Sequence, residues 1–118
     1  MLPPIYAILS GNSAVAAIVA TRIYPHGEAP QDVSRPYITW FLVTGTPENS
    51  LNCAPDIDRC TIQVDCWHQT SSGIVSLTSA VRAALESSGH VTGVILNQRE
   101  QETKLYRMAI QLDYFLTR

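Results

Sequence analysis

Charge is scarce in this chain. Only 15% of its 118 residues are charged, the formal net charge at pH 7 is -2, and Lys and Arg are nowhere clustered. Tight duplex binding draws on grouped cations that neutralise phosphates, so this composition argues against it. No glycine-rich phosphate loop is present. The longest apolar run, Ala14 to Ala20, is far too short to cross a bilayer. Three cysteines cannot all pair with one another, and Met1-Leu2-Pro3-Pro4 lacks the positive charge and long apolar stretch of a secretory leader. A soluble protein in a reducing compartment, with no membrane association, is therefore expected. Internal repeats and low-complexity tracts are also missing.

Apolar residues, by contrast, make up 46% of the chain. That leaves more uncharged surface than a lone monomer requires, which points to self-association. A single domain, residues 1–118, is long enough to bury a core without a metal or disulfide staple. Its organising stretch runs from Arg59 to Ser88. Cys60, Ile62, Val64 and Cys66 fall on alternate positions and so share one face of a strand, the core face. Ser71 or Ser72 is placed to cap a following helix, in which Ile74, Leu77, Val81, Ala84 and Leu85 form an apolar stripe and Ser76, Ser79, Arg82 and Glu86 a wet face. Gly89 is expected to end it as a left-handed cap.

Before that stretch, Pro3-Pro4 can open a short helix through Ile5, Ile8 and Leu9, ended by Gly11, and Asn12 or Ser13 can cap a second from Ala14 to about Thr21. Arg22 to Pro25 reads as extended, and His26 to Arg35 as loop. Tyr37 to Thr44 is a strand with apolar residues on both faces, which suggests cover on both sides. Gly45 to Arg59 contains Pro47, Asn49, Asn52 and Pro55 and has no usable period, so it reads as a long loop. Val91 to Asn97 is a third strand, and Leu105 to Leu116 a fourth with clean alternation. The fold class is α+β: an about four-stranded, mainly antiparallel sheet with one long helix and two short N-terminal helices.

Catalytic constellations are weak. Cys53, Cys60, Cys66 and His68 lack the two-residue gap of a zinc knuckle, although Cys60, Cys66 and His68 share a strand face. Buried cysteine is commonly a small hydrophobe, and core packing is the better reading. A Cys66–His68 nucleophile pair sits two apart on a strand, too far for an assured hydrogen bond. His26 and His90 lie in loops without an acidic or serine partner nearby in sequence. Glu100 and Glu102 read as a solvated charged turn, and Trp40 and Trp67, with no interleaved cations, as core or interface packing. The alternative kept open is a small metal-dependent or ligand-binding enzyme using Cys66 and His68.

Five short blocks in a fixed order carry a resemblance: Arg22-Ile23-Tyr24-Pro25, Ala29-Pro30-Gln31, Pro36-Tyr37-Ile38, Ile62-Gln63-Val64-Asp65-Cys66-Trp67, and Ala80-Val81-Arg82-Ala83-Ala84-Leu85. Together they resemble the tail completion and head-to-tail joining (tail terminator) proteins of long-tailed phages and prophages, over about Leu2 to Leu116. The resemblance implies a small α+β virion assembly protein, not an enzyme, without cofactor. It implies a ring, hexameric, at the head–tail junction of the virion, present in the host cytoplasm during assembly. That ring would cap the tail tube protein and join it to the head connector or adaptor protein, and DNA would pass through it without specific binding. The sequence departs from the expected pattern at Leu51 to Arg59, where a glycine is expected soon after the leucine.

The stretch from Thr46 to Arg59 is the expected docking element. Fourteen residues exceed what a connection between neighbouring strands requires. Leu51 and Ile57 offer apolar anchors, and Glu48, Asp56, Asp58 and Arg59 can set register against a neighbour by charge.

Overall fold

The computed structural model describes residues 3–30, 33–50, 53–101 and 104–117. Two short helices lead in. The first, α1 (Ile5–Ser10), begins just after Pro4 and ends at Gly11. The second, α2 (Ser13–Val19), is capped by Asn12, whose Oδ1 accepts from the amides of Ala14 at 3.1 Å and Val15 at 3.2 Å. Of the two candidate caps, Asn12 is therefore the one that satisfies the free donors of the first turn. None of the described helices is long and apolar enough to cross a membrane.

Then follow β1 (Ile23–Tyr24), a 3-10 turn at Pro25–Gly27, β2 (Tyr37–Ser50), β3 (Cys53–His68), α3 (Ser71–Glu86), β4 (His90–Arg99) and β5 (Tyr106–Thr117). The strands make one five-stranded sheet in the order β1-β2-β3-β5-β4. Four strands are expected from the sequence. The fifth is β1, two residues long and so without a period to read, and it joins β2 in parallel through Ile23 to Ile38 and Tyr24 to Thr39. Every other pairing is antiparallel.

The three helices cover one face. Cys60, Ile62, Val64 and Cys66 present their side chains to that layer and are buried, as their alternation requires. The stripe of α3 meets them, with Ile74, Leu77, Val81, Ala84 and Leu85 all buried, while Arg82 and Glu86 pair at 2.7 Å on the wet face. Each fully buried aliphatic side chain contributes roughly 1.5–3 kcal/mol of transfer free energy. Ile5, Leu9, Val15 and Val19 close the same core from the N-terminal pair.

Both expected ends of α3 need correction. Its cap is Thr70, not Ser71 or Ser72: Thr70 alone is extended (φ -121°, ψ 152°) and its hydroxyl accepts from the Gly73 amide at 3.0 Å. Nor is Gly89 a left-handed cap, since Gly27 is the only glycine with positive φ among the described residues. Gly89 lies under the Tyr114 ring instead, where a Cβ would meet Cζ at 2.9 Å. Helix end and strand thus touch through a glycine, and Ser88 Oγ and Tyr114 Oη hydrogen-bond beside it at 3.0 Å.

The expected long loop is not a loop. Residues 45–50 continue β2, residues 53–59 belong to β3, and the two pair in register at Gly45 to Cys60, Thr46 to Arg59, Pro47 to Asp58 and Glu48 to Ile57. A hairpin with register shifts at Leu42/Thr44 and Glu48/Ser50 replaces it. Pro47, Asn49, Asn52 and Pro55 are types that strands seldom hold, so the stretch reads as loop although its backbone is paired.

Candidate docking surfaces

Element lengths explain why the hairpin stands out from the body. The helix α3 runs back along β3, and its sixteen residues span about 24 Å at 1.5 Å each. That matches β3 from His68 to Cys60, about 26 Å at 3.3 Å per residue. The remaining seven residues of β3, Cys53 to Arg59, reach roughly 23 Å further. The molecule measures 52 × 28 × 24 Å accordingly. For part of this length β5 accompanies the arm, pairing Phe115 with Arg59, Leu116 with Asp58 and Thr117 with Ile57.

Five of the six expected docking residues fall on this arm. Glu48 and Ile57 are direct partners, Asp58 pairs with Pro47, Asp56 lies in the outer part of β3, and Arg59 is exposed opposite Thr46. Leu51 lies outside the described residues. Carried on paired strands, these residues are held in a fixed relative register, which a loop would not provide.

The helix-free face of the sheet is closed by its own side chains. The expected cover on both sides of β2 is therefore a helical layer on one side and a polar and aromatic network on the other. Tyr37, Trp67 and Arg107 are cross-strand neighbours. The Tyr37 ring stacks on Trp67 with centroids 5.7 Å apart, and the Arg107 guanidinium sits 4.9 Å from the centroid of the same indole. Trp67 donates to Thr39 Oγ1 at 3.1 Å. One row further, the buried Asp65 carboxylate accepts from Arg107 Nη2 and Gln63 Nε2, each at 2.9 Å. Glu100 reaches the other side of Arg107 at 3.6 Å. Trp40, facing the helices, is the core tryptophan. Burial pushes the Tyr37 hydroxyl above its ordinary range, with Arg35 pulling it down by less.

Cys66 and His68 do not form a nucleophile and base. The Cys66 thiol is wholly enclosed, and burial pushes its pKa up to about 12, with the Thr78 hydroxyl pulling the other way by less and without reaching hydrogen-bonding geometry. A nucleophilic cysteine needs the opposite, a stabilised thiolate open to substrate. His68 spends Nδ1 as acceptor for the Thr70 amide at 3.1 Å, and desolvation lowers its pKa. Among the described residues no group of three or more His, Cys, Asp or Glu is placed to hold a metal. His90 packs edge-on to Phe115, 5.9 Å between centroids.

Sequence reasoning passed over the sheet's outer margins. Leu42, Val43, Val94 and Phe115 are exposed there. A signal exists only for Phe115, which interrupts the polar positions of an otherwise alternating strand.

The model of the family named tail completion protein gp17 matches residues 3–117. The chain belongs to this family. Membership makes it a bacteriophage tail completion protein, a structural component of the virion. The chain also aligns with one in a solved virion of a native gene transfer agent particle, with a TM-score of 0.68 at 14% identity, covering 97% of this chain and 92% of that one. At that identity the likeness speaks for the fold. No curated protein sequence matches the chain.

Proposed function

We propose that this tail completion protein acts by binding: copies close a hexameric ring at the head–tail junction, one face capping the tail tube protein and the other meeting the head connector or adaptor. The observation that carries this reading is the family match over residues 3–117. The fold supplies the physical means, a sheet long enough to send an arm about 23 Å beyond the helical body. Glu48, Asp56, Ile57, Asp58 and Arg59 on that arm, together with Leu51, are the proposed contact set. DNA passes through without being gripped, since a mildly acidic chain with no cation cluster releases few counterions. The work is done in the host cytoplasm and the product stays in the virion, without a cofactor or a reaction.

The arm can be removed cleanly. Thr46 and Arg59 are direct partners, so replacing residues 47–58 by Asn-Gly leaves a two-residue hairpin turn between them. Circular dichroism should show a folded protein, and heads and tails made with it should fail to join. Infectious particles at normal yield would remove the arm from docking. Native mass spectrometry and negative-stain imaging of the unaltered protein, alone and on tails, should show closed rings, and a strict monomer in both settings would contradict the ring.

A further inference from the structure

The sheet is open at both margins beyond the Pro25–Gly27 turn, which packs against β2 with Gly27 beside the Phe41 ring. Beyond Thr39 no described strand pairs with the outer side of β2, and none pairs with the outer side of β4. Unpaired strand edges invite another chain, and proteins that must stay single blunt them with lysine or inward charge. Neither device is present here, and the margins are broken only locally, by Pro47 on β2 and by register shifts on both strands. From Leu42 to Ser50 the β2 edge holds a single charged residue, Glu48, and β4 holds a single one, Arg99.

The exposed apolar side chains gather at the same two places. Of the six large ones exposed among the described residues, Leu42 and Val43 lie on β2 and Val94 on β4. A fourth, Phe115, sits where β5 runs past the first β4 pair, His90 to Asp113. The two margins also match in length, nine residues from Leu42 to Ser50 against the ten of β4. Their directions suit one another, because three successive antiparallel pairings leave β4 antiparallel to β2. A neighbour's β4 laid beside β2 would therefore extend the sheet in ordinary antiparallel sense.

We infer that a second copy of this chain docks edge to edge: the outer side of β2 from Leu42 onward on one copy receives the outer side of β4 on the next. Two different edges on opposite margins make a heterologous contact, which propagates from copy to copy and closes into a ring when the rotation permits. The inference rests on the ring reading above and gives it an interface. Glu48 on one margin and Arg99 on the other are opposite in sign, so no like charges meet across it.

Val43→Lys spoils one margin and Val94→Lys the other, each at a half-exposed site that the fold tolerates. Sedimentation equilibrium and native mass spectrometry would compare both with the unaltered protein and with Val75→Lys, an exposed apolar site on α3 away from the margins. Each edge variant should weaken self-association by roughly tenfold or more, and Val75→Lys should not. An equimolar mixture of the two edge variants should form a heterodimer and stop there, since only one intact β2 margin and one intact β4 margin can meet. Circular dichroism checks folding, and Phe115→Ser serves as a second variant of the β4 margin if Val94→Lys unfolds. Rings from the unaltered protein that persist in both edge variants would overturn the edge contact and leave the ring standing. A Val94→Lys protein that still dimerises while Val43→Lys does not would overturn it in favour of β2 meeting β2. A monomer at every concentration and on tails would overturn the ring and the edge contact together.

Discussion

From Tyr37 to Leu42 the first strand of the hairpin runs alongside the helical layer, and from Thr44 to Ser50 the same strand runs on without it. The ladder to β3 runs through both, apart from its two register shifts. In the inner half the side chains decide everything: Ile38, Ile62, Val64 and Cys66 are sealed between sheet and α3, and slipping the register by one residue would turn them out to water. In the outer half the backbone ladder pairs the strands residue for residue, whatever their side chains. A strand can therefore be structurally regular while its sequence looks like a loop.

The sharpest way to break the comparison is to attack the inner half from the helix. Leu77 is fully buried against the sheet. Leu77→Ala removes its transfer free energy and leaves a cavity, which should cost about 2–5 kcal/mol in urea unfolding. If the loss were below about 1 kcal/mol, the helix-covered half would not be the stabilising one.

That contrast also explains what could be read in advance. The strand at Cys60 to Cys66 and the helix at Ile74 to Leu85 were legible because burial writes its period into the sequence, 2 for the strand and 3.6 for the helix. The two short N-terminal helices were legible from Pro4, Gly11 and Asn12. What failed depended on distant partners. Three adjacent hydroxyl residues, Thr70, Ser71 and Ser72, can each cap a helix, and only the local turn, with His68 Nδ1 taking the Thr70 amide, selects Thr70. Gly89 looks like any helix-ending glycine until Tyr114, 25 positions away, is found against it. The arm was hidden because Pro47, Asn49 and Pro55 are types that strands seldom hold. Of the docking surfaces, the arm's residues were named but as a loop, and the margins at Val43 and Val94 were missed because an edge is defined by which strand is absent beside it.

A smaller effect comes from a single buried group in the inner half. The fold accommodates Cys66 as a neutral thiol, raising its pKa from 9.0 to about 12 by burial. Its contribution is therefore fully present below pH 9 and is lost as pH rises from 9 towards 12, at about 1.4 kcal/mol per unit. Cys66→Ala should be less stable than the unaltered protein at pH 7, by the methyl-sized gap it leaves. The gap between the two should narrow by about 2 kcal/mol by pH 10.5, because only the unaltered protein has a thiol to ionise. Urea midpoints at pH 7, 9 and 10.5 measure this, with the raised hydroxyls of Tyr37 and Tyr114 common to both proteins. A constant gap across that range would mean that the thiol is reached by solvent.

The smallest effect should come from the arm itself. Replacing residues 47–58 by Asn-Gly deletes the outer ladder, including the pairs of Ile57 with Thr117 and Asp58 with Leu116. Among the described residues it leaves in place every member of the core shared by sheet and helices. Each lost backbone hydrogen bond is worth only about 0.5–1.5 kcal/mol net in the folded state, because water replaces it. Against this, the shorter chain no longer pays the ordering entropy of those residues, about 1–2 kcal/mol each. The two terms nearly cancel, and the unfolding free energy should stay within about 1 kcal/mol of the parent. The urea m-value should fall only slightly, by about a tenth, because m scales with the surface exposed on unfolding and the chain is shortened by roughly that share. A loss of about 3 kcal/mol or more would show that the outer half stabilises the inner one, and the arm would then belong to the folding unit as well as to the docking surface.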